Sequence, residues 1–182
     1  MTRLTLVAPA IFLCLCIFLP HELHAGDSHK NEASDSTRPQ FAARLLSDGK
    51  YSQAIRIFEA ALADSDPEAK SWEFHCGYAT CLSAAAFEST NRFGVAGPQQ
   101  SISSERIDLV RQAIRELDIA EGLTSAGPIV AMLRVQRGTI LETWGFPLDA
   151  YGCYRSALGA APFDGDASAG LARMRALLGS SE

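Results

Sequence analysis

From Thr37 onward the apolar residues recur at spacings of three and four, and no stretch alternates apolar with polar as a half-buried strand does. Ala, Leu, Arg and Glu dominate, all strong helix formers. The pattern predicts seven helices, over 37–48, 51–64, 68–88, 104–122, 128–143, 147–160 and 164–178. Gly49 and Gly145 are placed to end a helix in a left-handed residue. Pro67, Pro128 and Pro162 stand where one helix stops and the next begins. Ser103 or Ser104 is placed to cap the helix over 104–122, with Glu105 in its positive first turn.

The chain before Thr37 has a different character. Arg3 precedes an uncharged apolar stretch over 4–19, LTLVAPAIFLCLCIFL, which Pro20 closes. HELHA follows and ends in the small residue Ala25. This is the layout of a cleavable export signal, residues 1–25, with the cut expected after Ala25. The stretch contains Pro9 and is shorter than the ~20 residues that span a bilayer. Retention as a membrane anchor is the alternative. Residues 26–36, GDSHKNEASDS, are polar and without apolar period, and are expected to form a disordered linker.

Internal similarity organises the rest. QAIRIFEAAL (53–62), QAIRELDIAE (112–121) and DAYGCYRSAL (149–158) share one pattern: alanine, three residues, a large apolar residue, two residues, alanine. Its members are Ala54/Phe58/Ala61, Ala113/Leu117/Ala120 and Ala150/Tyr154/Ala157. Spacings of four and three put each set on one helical face. The alanines let a neighbouring helix approach closely, and the large residue fills the gap beside it.

On these residues the chain resembles the tetratricopeptide repeat (TPR) family. GKYSQAIRIFEAALADSDP (49–67) is similar to the turn, second helix and closing proline of such a repeat. Gly138, then Gly145 to Pro162, repeat that order. The middle unit has Gly77 in its first helix, but Asp108 occupies the place of the turn glycine. Ala54 and Ala113 are 59 residues apart and Ala113 and Ala150 are 37 apart, so the middle unit carries an insertion, 89–103. Its glycines, proline and polar residues read as a loop tolerated between helices. The resemblance implies an all-α fold, a short α-solenoid of about three helix-turn-helix units with a C-terminal capping helix. The domain covers 37–179, with units at about 37–67, 68–128 and 129–162 and the cap at 163–179.

Composition narrows the chemistry. A formal net charge of −5 with no long Lys/Arg run speaks against a nucleic-acid binder. Of five cysteines, Cys14 and Cys16 lie in the signal, leaving Cys76, Cys81 and Cys153. Cys76 and Cys81 diverge on one helix and are expected to be small buried hydrophobes. His75, Cys76 and Cys81 do not converge on one ion, and no Cys-x2-Cys pair occurs, so no metal or other cofactor is expected. His75 is placed on a helix surface. No Gly-x-Ser-x-Gly or phosphate-binding motif is present, and an enzyme is not expected.

The resemblance implies binding on the concave face of the array, which first helices line. Phe74 and Tyr78 share a face on one first helix, and Val135, Thr139 and Glu142 share a face on the next. These five are the candidate partner-binding residues; the alternative for Phe74 and Tyr78 is core packing. The carboxylate-gripping set of some family members is not expected, since Pro39, Ala43 and Thr139 stand at comparable places. The expected function is an exported scaffold, periplasmic or extracellular, that binds a protein or peptide. An accessory subunit of an envelope enzyme or complex, or an enzyme built on the helical frame, is the alternative.

Overall fold

The structure, a computed structural model, describes residues 38–91 and 103–179. The expected signal, the expected linker and most of the 89–103 insertion lie outside the described residues. Seven α-helices and no strand occur among those described: α1 (Arg38–Ser47), α2 (Tyr51–Ala63), α3 (Trp72–Asn91), α4 (Ser104–Gly122), α5 (Gly127–Thr143), α6 (Pro147–Ala160) and α7 (Gly165–Gly179). No helix among these residues is long and apolar enough to cross a membrane.

Local chemistry sets the boundaries. Gly49 (φ 71°) and Gly145 (φ 81°) adopt the left-handed conformation that ends α1 and α5. The amide of Gly145 donates to the Glu142 carbonyl at 3.2 Å, and that of Phe146 to the Leu141 carbonyl at 2.9 Å. The helix expected to start at residue 68 is divided. Asp66 accepts a hydrogen bond from the Glu68 amide at 3.1 Å and starts a short 3-10 turn, Pro67–Lys70. Ser71 is extended and breaks the ladder, and its Oγ accepts from the Phe74 amide at 3.2 Å, so α3 begins at Trp72. It runs to Asn91, three residues past the expected end and into the insertion. Ser103 stands at the start of α4, but its side chain makes no capping hydrogen bond, contrary to expectation.

Each helix runs antiparallel to the one before it. Residues early in α3 meet residues late in α4, as His75 meets Glu116 and Tyr78 meets Gln112. Glu121 of α4 meets Arg134 of α5, Glu142 of α5 meets Tyr154 of α6, and Tyr154 meets Gly170 of α7. Helices two apart also touch, in parallel: Glu142 of α5 pairs with Arg173 of α7, and Cys76 and Thr80 of α3 with Gln136 of α5. The result is an all-helical fold in which neighbouring helices pack on one another and some alternate helices also touch.

The nine residues of the repeated pattern form its joints. Ala54, Phe58, Ala61, Ala113, Leu117, Ala120, Ala150, Tyr154 and Ala157 are each at most 2% exposed. Phe58 stacks on Tyr78 with centroids 5.3 Å apart and meets Phe74 edge-on at 5.0 Å. Tyr154 lies between two glycines: a Cβ on Gly138 would come within 2.8 Å of its ring, and one on Gly170 within 2.5 Å. Close approach of α5 and α7 to α6 therefore requires glycine at both positions. Burying each of these aromatic rings is worth roughly 1.5–3 kcal/mol. One apolar cluster runs from α1 to α5, and two smaller ones hold α6 between α5 and α7.

Candidate binding surface

The five residues expected to bind a partner fall into two helix joints. Phe74 and Tyr78 are 1% exposed and pack on Phe58. Residues 74–82 of α3 are buried without interruption, so aromatic side chains at helical spacing turn inward here. As groove-lining anchors these two are corrected to core residues. The Tyr78 hydroxyl accepts a hydrogen bond from Gln112 Nε2 at 2.7 Å. Burial, followed by the nearby Glu59 and Glu116, holds its pKa well above the ordinary tyrosine range.

Val135, Thr139 and Glu142 share a face of α5, as expected, and that face meets α6 and α7. Val135 packs against both apolar clusters around α6. Thr139 Oγ donates to the Val135 carbonyl at 3.0 Å and lies 3.3 Å from the Tyr154 hydroxyl. Glu142 accepts from the Tyr154 hydroxyl at 2.6 Å and from Arg173 Nε and Nη2 at 2.9 and 2.8 Å. Burial pushes the Glu142 carboxyl up, but the Arg173 and Tyr154 hydrogen bonds and the Arg173 charge together hold it below the usual carboxylate range. Burial and the Glu142 hydrogen bond raise the Tyr154 pKa. These polar groups fasten three helices to one another.

Two further polar joints were not read from the sequence. His75 is 6% exposed rather than on a helix surface, and its Nδ1 lies 2.7 Å from Glu116 Oε2. Arg134 binds Glu121 through Nε at 2.9 Å and Nη2 at 2.6 Å, and donates from Nη1 to the Ser156 carbonyl at 3.1 Å. Arg137 pairs with Asp118 and, at 3.4 Å, with Glu121. The signal was present: two arginines three apart on α5 face two acids three apart on α4. Cys76 and Cys81 are buried and Cys153 is half-buried. Cys76 is more than a small hydrophobe, since its Sγ donates to Gln136 Oε1 at 3.1 Å. Burial pushes the Cys153 thiol up.

Large apolar side chains are exposed both on turns and along helices. At the end holding the turn between α5 and α6, Phe146 is 51% and Leu148 71% exposed, beside Trp144, over which the Arg106 guanidinium lies at 5.0 Å. At the opposite end, Leu123 is 46% exposed and Phe163 99%. Large side chains displayed on turns held by a rigid frame are groups that a macromolecular partner can cover. Compared with family models, curated proteins and solved structures, the chain matches none.

Proposed function

We propose that the chain is an exported protein-interaction scaffold built as a short TPR-like array of three helix pairs and a capping helix. The observation that carries this reading is the joint at Tyr154. A large residue of the repeated pattern is wedged between glycines of successive first helices, Gly138 and Gly170. That arrangement is how stacked helix pairs propagate, and such stacks act as extended, preformed binding surfaces. With Phe74 and Tyr78 buried, the partner is met by side chains on the rim and turns of the stack rather than by these two aromatics.

The experiment uses the chain, exported from its native host, as bait for capture from the cell envelope. A protein retained in fixed stoichiometry through gel filtration supports the reading. Recovery of the bait alone from every envelope fraction contradicts it. Intact mass of the same exported material tests the localisation: a chain starting at Gly26 is expected, and one still carrying residues 4–19 would replace export by anchoring.

A further inference from the structure

We draw no further inference here: the strongest candidate, the apolar surface patch at the turns between α4 and α5 and between α6 and α7, where Leu123 and Phe163 are exposed, carries none because nothing in the structure shows what covers it.

Discussion

Tyr154 is fully buried, and its ring touches two backbones where no side chain fits. Gly170→Ala would set a methyl 2.5 Å from a ring that has no free volume to move into. Overpacking of this kind costs about 1–3 kcal/mol, which urea denaturation would register as a lower midpoint. Gly152, also in α6, has nothing within 4 Å of an added Cβ. Gly152→Ala should therefore raise stability by about 0.5–1 kcal/mol through helix propensity. The hydroxyl of the same tyrosine ties stability to pH at both extremes. Glu142 is held below its ordinary pKa, so its contribution is present above the unfolded carboxylate pKa of ~4.3 and is lost as pH falls through the folded value. Tyr154 and Tyr78 are held above theirs, so their contribution is present below the unfolded tyrosine pKa of ~10 and is lost as pH rises beyond it. Thermal midpoints across pH should fall on both sides, and Glu142→Gln should flatten the acid limb. An acid limb unchanged by that substitution would mean Glu142 is not the group responsible.

Between elements, alanine decides how closely helices approach. Ala54 and Ala150 are wholly buried, and replacing either with leucine should cost about 1–3 kcal/mol by overpacking. Unchanged melting of both variants would count against the joints as described. The α3–α4 joint carries the pair of His75 and Glu116, 6% and 8% exposed. His75→Leu strands a buried carboxylate and should cost about 3–5 kcal/mol, whereas His75→Leu with Glu116→Met removes both polar groups and should recover most of that loss. Equilibrium unfolding of the single and double variants measures the coupling. Much of this layout was legible in the sequence. Helical period, Gly49, Gly145 and the prolines place the helices within a few residues, and the alanine pattern names the joints. What escaped is which face of a helix ends inside. Phe74 and Tyr78 show a shared face, which is equally the mark of a groove and of a core. Only the helices packed around α3 settle it, and periodicity carries no information about them. His75 escaped for the same reason, because its partner Glu116 lies 41 residues away on another helix.

At the scale of the molecule, contacts run between neighbours and next neighbours along the stack, with polar joints at α3–α4, α4–α5 and α5–α6–α7. A frame tied this way offers a partner surfaces that exist before binding, which limits the ordering cost of association. Leu123, Phe146, Leu148 and Phe163 are exposed on or beside turns, and Phe41, Leu62, Ile107, Ile119 and Leu177 are exposed along the helices. Hydrogen exchange of the chain alone and in complex with a partner captured from the envelope tests the proposed scaffold most directly. The helix interiors of α3 to α6 should be protected before binding and unchanged after it. Added protection should appear only over the surface segments that the partner covers. Helices that exchange freely until the partner arrives, or a complex with no newly protected segment, would contradict the proposal of a preformed frame that binds a partner.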